Sequence, residues 1–243
     1  MLTAFLGLFG LHPPSQPQRN RLAAFGASIH CFAHRGGSLE HVENTLEAFV
    51  HAASLPLKLT LEMDVGMTQD GHLVVFHDHT LARMCGHQWE GRRIEDLDLA
   101  QLPPLQVPAA LHGREGLDTR IPLLEDVFKA CPSVPMSIDV KHGSEEMIIK
   151  IGTLIQRYNR ERITLWGGFD ASQVNLCIQH FGTSIPLLFS RKRVIQSFIM
   201  WFFGLSRWMS YPESALVIPN RWYLMWRGWF EEMNRLGISV VLW

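Results

Sequence analysis

Glu62 and Asp64 stand two apart in the apolar run "LKLTLEMDV" (57–65), so on a strand both carboxylates leave the same face. Two acids side by side on an apolar strand repel one another and resist burial unless a cation lies between them. Asp139, in "PMSIDVK" (135–141), can bring a third carboxylate, and Lys141 again follows at a spacing of two. A site built from carboxylates alone suits one hard divalent cation, Mg²⁺ or Ca²⁺, better than zinc. The same acids can also be read as strand ends facing solvent.

The second set of residues points to phosphate. His34 ends "IHCFAH" (29–34) and His77 sits near the end of "HLVVFHD" (72–78). Two imidazoles flanking a phosphodiester can divide the proton transfers, one receiving from the attacking oxygen and one giving to the leaving alkoxide. Arg35 offers a planar fork for phosphate oxygens. Gly36 and Gly37 let backbone pass close to a bound anion.

These residues need strands whose ends meet. Strands are expected at 29–34, 57–65, 135–141, 162–169, 185–190, 215–220 and 238–243. Residues 72–78 follow the short turn "TQDG" and can only form an antiparallel hairpin arm on the second strand. Helical spacing covers 44–54, 144–159 (with Ser144 as N-cap) and 171–181, with a lead-in and helix over 121–131. Strands alternating with helices predict an α/β fold with a parallel sheet. Seven such strands predict a TIM-barrel-like scaffold lacking the eighth strand.

Composition narrows the classes. The 243 residues give one domain's worth of core, and a formal net charge of −1 argues against a nucleic-acid surface. The four cysteines (31, 85, 131, 177) are far apart, which fits a reducing setting better than a disulfide framework. Residues 1–27 read as an apolar stub and linker, too short at 1–11 to span a bilayer and without a basic leader region. The domain proper is expected over 28–243, with a polar, Pro-dotted insertion at 84–120. A second insertion, 191–230, holds five of the eight tryptophans and the apolar run Phe198–Leu205 behind Arg191-Lys192-Arg193. It reads either as a buried helix pair or as a lipid-facing surface.

The blocks "AHRGGSLEHVENTLEAF", "LEMDVGMTQDGHLVVFHD", "IPLLEDVF" and "SIDVK" resemble successive signatures of the glycerophosphodiester phosphodiesterase family over roughly residues 31–243. That resemblance implies His34 and His77 as the acid/base pair, Glu62, Asp64 and Asp139 as metal ligands, and Arg35 and Lys141 on the phosphate. It implies Glu43 and Asn44 as supports. The doubled glycine and the aromatic insertion look more like the animal membrane-associated lysophospholipase D branch. The implied substrate is then a lysophospholipid or glycerophosphodiester, at a membrane surface facing the cytoplasm or endoplasmic reticulum. Two departures stand out. Asp139 replaces a glutamate common in the family, and the Thr-Asp-x-Pro block of the eighth strand is missing. The chain therefore reads as C-terminally truncated against the family pattern, whether as a fragment, a shortened splice product or an incomplete gene model.

Two rivals follow from the same residues. One is a catalytically inactive form that binds lipid or a partner through the aromatic region. The other is a zinc hydrolase using His77 and His79, which would need further ligands where the chain has Asp139, Asp170 and Asn220.

Overall fold

The structure, a computed structural model, describes residues 31–141 and 143–242. The stub expected over 1–27 and the start of the first expected strand lie outside the described residues. Strands β1 (Cys31–Ala33), β2 (Leu59–Met67), β3 (Leu73–Val75), β4 (Met136–Val140) and β5 (Thr164–Gly167) form one sheet. Its parallel order is β1-β2-β4-β5, and β3 is the antiparallel arm on β2, as the short turn requires. A further parallel pair joins β6 (Ala215–Ile218) to β7 (Ser239–Leu242).

The strand expected at 185–190 is reduced to two single parallel bridges, Trp166–Leu187 and Leu188–Ala215. Pro186 enters this run without an N–H, and Ser190 already caps the next helix through its side chain, which accepts from the Arg193 N–H. Only three residues remain between them. They still relay the sheet from β5 to β6. Seven parallel segments therefore curl in sequence order, but among the described residues β7 and β1 do not pair and the barrel is not closed.

Alternation along the two central strands decides what each face does. Leu61, Met63 and Val65 of β2, with Met136, Ile138 and Val140 of β4, join the large core beneath the helices. Glu62, Asp64, Ser137 and Asp139 point the other way, into the mouth of the sheet. A smaller cluster of Leu165, Leu188 and Ala215, packed by Phe32 and Val217, is separate from that helix-side core.

The helices are α1 (Leu46–Ser54), α2 (Ala82–Cys85), α3 (Leu124–Ala130), α4 (Glu145–Arg157), α5 (Ala171–Phe181), α6 (Arg191–Phe202) and α7 (Arg227–Arg235). Thr45 and Ser144 cap α1 and α4 by accepting from Ala48 N and Met147 N. Residues 84–120 fold as short 3₁₀ turns around Met84, Cys85, Ile94, Leu97, Leu105 and Leu111, which pack on Val74 and Phe76. Turns of three residues carry no helical or strand period, so the sequence looked aperiodic there.

Both readings of 191–230 find residues to support them. Trp229 is fully buried, and Phe198 lies against it edge-on at 5.2 Å. Ile195, Ile199, Phe202, Phe203, Trp222 and Trp226 are exposed, Trp222 by 88%. No helix among the described residues is long and apolar enough to cross a membrane.

Ile138 is fully buried in β4, flanked by β2 and β5. Ile138→Ala is expected to cost about 2–5 kcal/mol and to lower the melting temperature by on the order of 10 °C. An unchanged melting curve would show that the helix-side core does not depend on this strand.

Candidate active site

The site forms where the strands end. Leaving β1, the chain turns through His34–Gly36, and Arg35 adopts a left-handed conformation (φ 52°). For a side-chain-bearing residue this costs roughly 1–2 kcal/mol. Two hydrogen bonds hold it: Arg35 N donates to Glu62 Oε2 at 2.9 Å, and Asn44 N donates to the Arg35 carbonyl at 2.9 Å. Asn44 is itself left-handed (φ 58°). Backbone strain held by specific bonds is characteristic of binding and catalytic positions. Gly36 has a packing reason for being glycine. Its φ is 78°, and a Cβ there would lie 2.9 Å from Ala48 Cβ, so the turn rests directly on α1.

Register then gathers the acids. Asp64 pairs with Asp139 and Glu62 with Ser137 across β2 and β4, so the carboxylates are near neighbours, one strand spacing apart. Lys141 Nζ lies 3.2 Å from Asp64 Oδ1 and also pairs with Asp139 Oδ2. Asn44 Nδ2 donates to Asp64 Oδ2 at 3.1 Å, and Arg35 Nε stands 3.5 Å from the same oxygen. His34 Nε2 is 3.9 Å from Glu62 Oε2.

A cavity of about 570 Å³ is lined by His34, Arg35, Glu62, Asp64, His77, Asp139 and Lys141. Glu43 and Asn44 stand behind this lining, holding Arg35 and Asp64. The rest of the lining is largely apolar, with Phe32, Phe169, Leu188, Phe189 and Val217 among its residues. Phe169 has two cations over its ring, Lys141 Nζ at 5.2 Å and the Arg191 guanidinium at 5.2 Å. The zinc-type set is not brought together: His79 lines a second cavity of about 250 Å³ with Arg93 and Glu95, while Asp170 and Asn220 do not line the first.

Burial and mutual repulsion both act against the ionised acids. Burial, and then the Asp64 charge, push the Glu62 carboxyl well above the usual range. Burial also raises Asp139, outweighing its pairing with Lys141. Lys141 resists its own burial because Asp139 and Asp64 hold its proton. His34 is lowered by burial and by the neighbouring Arg35 charge. This acid-only donor set fits a hard cation chemically. As placed, however, no three His, Cys, Asp or Glu side chains among the described residues converge on a metal position, and the Lys141 ammonium sits beside two of the acids.

Two residues escaped the sequence analysis. Asp78 pairs with His77 Nδ1 at 2.5 Å, and Arg83 bonds both Asp78 and Glu43. The only sequence signal was the "HDHTLAR" run, in which a carboxylate and a guanidinium follow the histidine within six residues.

A parallel α/β sheet carries acids, histidines and basic residues at its mouth. The glycerophosphoryl diester phosphodiesterase family model matches residues 34–186. Lysophospholipase D GDPD1 of Rattus norvegicus is 32% identical over 272 residues, covering 100% of this chain and 83% of the relative. Lysophospholipase D GDPD3 of Mus musculus is 32% identical, covering 98% and 72%. The fold is similar to that of an Oleispira antarctica phosphodiesterase solved with the product sn-glycerol-3-phosphate (TM-score 0.70, 20% identity, 90% and 86% covered). It is also similar to a Thermotoga maritima glycerophosphodiester phosphodiesterase (TM-score 0.61, 22% identity, 88% and 85% covered). The chain belongs to the glycerophosphoryl diester phosphodiesterase family.

Asp78 supplies a pH test. Burial works against its ionised form, but bonds from His77 and Arg83 hold its carboxyl far below the usual value. A depressed folded-state pKa gives stability that is complete above the unfolded pKa of about 4 and is lost as pH falls below it. Melting temperature should drop between about pH 5 and pH 2, and Asp78→Asn should flatten that limb. Parallel acid limbs for the two proteins would remove Asp78 from the account.

Proposed function

We propose that this protein hydrolyses the headgroup phosphodiester of a lysophospholipid or glycerophosphodiester, releasing lysophosphatidic acid or glycerol phosphate. One observation carries this reading: a single cavity joins a floor of histidines, acids and cations to an apolar wall of Phe32, Phe169, Leu188, Phe189 and Val217. A phosphodiester fits the floor, and an acyl chain fits the wall.

Arg35 and Lys141 would hold the phosphoryl oxygens and stabilise the charge that develops on them. The attacking oxygen belongs to water or to a neighbouring hydroxyl of the substrate; in the second case a cyclic phosphodiester forms, and water opens it to the monoester in a second round of the same proton transfers. One of His34 and His77 takes the attacking oxygen's proton as the new P–O bond forms. The other protonates the headgroup oxygen as the old P–O bond breaks. Glu62, Asp64 and Asp139 would hold one Mg²⁺ or Ca²⁺, which supplies Lewis-acid polarisation of the phosphoryl group when bound. Burial and neighbouring acids disfavour the ionised forms of Glu62 and Asp139, and a cation held between them would relieve that cost, which supports this ligand assignment.

The substrate would be met at a membrane surface. Exposed Ile195, Ile199, Phe202, Phe203, Trp222 and Trp226 lie in a segment with six basic residues and one acid, Glu213, which is buried and paired with Arg193. Aromatic side chains beside Arg and Lys suit the headgroup boundary of anionic bilayers.

Purified protein should release choline from lysophosphatidylcholine when Mg²⁺ or Ca²⁺ is added. His34→Ala and His77→Ala should each lose about 10²- to 10⁴-fold in rate. Full activity in either variant would remove that histidine from the chemistry. No release from folded protein with either metal and several headgroups would favour the inactive lipid-binding form. In a separate measurement, Phe202→Ser combined with Phe203→Ser and Trp222→Ser should weaken binding to phosphatidylcholine/phosphatidylserine vesicles by tenfold or more. Unchanged binding would exclude this face as the contact.

A further inference from the structure

Arg83 lies outside the cavity, on α2, with its side chain 48% exposed. Its guanidinium nevertheless engages two carboxylates at once. Nε and Nη2 donate to Asp78 Oδ2 and Oδ1 at 2.5 and 2.9 Å. Nη1 and Nη2 donate to Glu43 Oε2 and Oε1 at 3.0 and 2.7 Å. Each carboxylate then reaches one residue of the cavity: Asp78 Oδ1 meets His77 Nδ1 at 2.5 Å, and Glu43 Oε1 accepts from Arg35 Nη1 at 2.9 Å. A continuous chain therefore runs His77–Asp78–Arg83–Glu43–Arg35, and its two ends stand in the same cavity.

We infer that Arg83 is a positioning residue that sets the imidazole of His77 and the guanidinium of Arg35 against one another. The inference rests on the reading of the cavity as a phosphodiesterase site, and it assigns a role to a residue that touches no substrate. The physical argument has three parts. Asp78 is a carboxylate that only accepts, so His77 Nδ1 must carry the proton and donate to it, which makes Nε2 the nitrogen that serves the cavity. Without Arg83, Asp78 and Glu43 would be two acids with one cationic partner fewer, and each could rotate. Only a planar guanidinium presents two pairs of parallel donors in fixed geometry, so the bridge needs arginine in particular. Misplacement of a catalytic group by about 1 Å can cost about 10²-fold in rate.

The test combines turnover with a spectroscopic readout. Arg83→Ala is expected to lower kcat on lysophosphatidylcholine about 10²-fold with KM changed less than about threefold and a single cooperative melting transition still present. Arg83→Lys should not restore the rate, because one ammonium cannot fork to both carboxylates. Added guanidinium at millimolar concentration should recover about tenfold or more in Arg83→Ala, while methylammonium should not. In ¹⁵N-histidine NMR of the full chain, the wild type should show His77 as the Nδ1–H tautomer, and Arg83→Ala should show a mixture. A kcat within about twofold of wild type in Arg83→Ala would overturn the inference, as would an unchanged His77 tautomer. If the wild-type protein turns over no phosphodiester, the proposed activity fails while the NMR comparison still decides the role of Arg83.

Discussion

The parallel register between β2 and β4 is the constraint on which the site depends. It sets Asp64 opposite Asp139 and Glu62 opposite Ser137, so buried acids share one patch of the sheet mouth. Such a patch is electrostatically unfavourable by itself, because burial and mutual repulsion both act against ionised carboxylates. The chain keeps it by supplying two cations and a neutral donor from three directions. Lys141 comes from the end of β4, Arg35 from the turn after β1, and Asn44 adds a donor from the entry to α1. A one-residue slip of either strand would turn the acids toward the helices and Met63 or Ile138 into the cavity.

The turn after β1 shows what this costs locally. Arg35 sits in a conformation that side chains avoid, and it is held there by a Glu62 oxygen and the Asn44 N–H. The same glutamate and asparagine belong to the charged patch, so strain and charge balance support one another. Gly36 completes the arrangement by letting the turn lie against Ala48 and Phe49. Site and core are therefore coupled: α1 cannot move from the sheet without releasing Arg35.

The apolar wall and the aromatic segment extend the same logic to substrate. Phe169 stands beside Lys141 and receives Arg191 from the start of α6, so the helix bearing the exposed face begins at the rim of the cavity. Trp229, packed under Phe198, anchors α7 to that helix while neighbouring aromatics stay outside. One short segment thus contributes to the core, the cavity rim and the surface.

Much of this was legible in the sequence because it depends on short-range spacing. The alternation in "LEMDV" and "SIDV" determined that Glu62, Asp64 and Asp139 leave the apolar face, and the length of "TQDG" determined that β3 is antiparallel. The spaced residue blocks carried the resemblance to the family that the chain belongs to. Tertiary structure alone decided the rest. The 185–190 strand shrank to two bridges because Pro186 and the cap at Ser190 limit it from both sides. Gly36 is required by the proximity of α1, which lies ten or more residues further along the chain. Arg83 joins the site through Asp78 and Glu43, forty residues apart from the latter in sequence. Spacing fixes which face a side chain takes, since that follows from backbone period; which distant partner it meets follows only from how the elements pack.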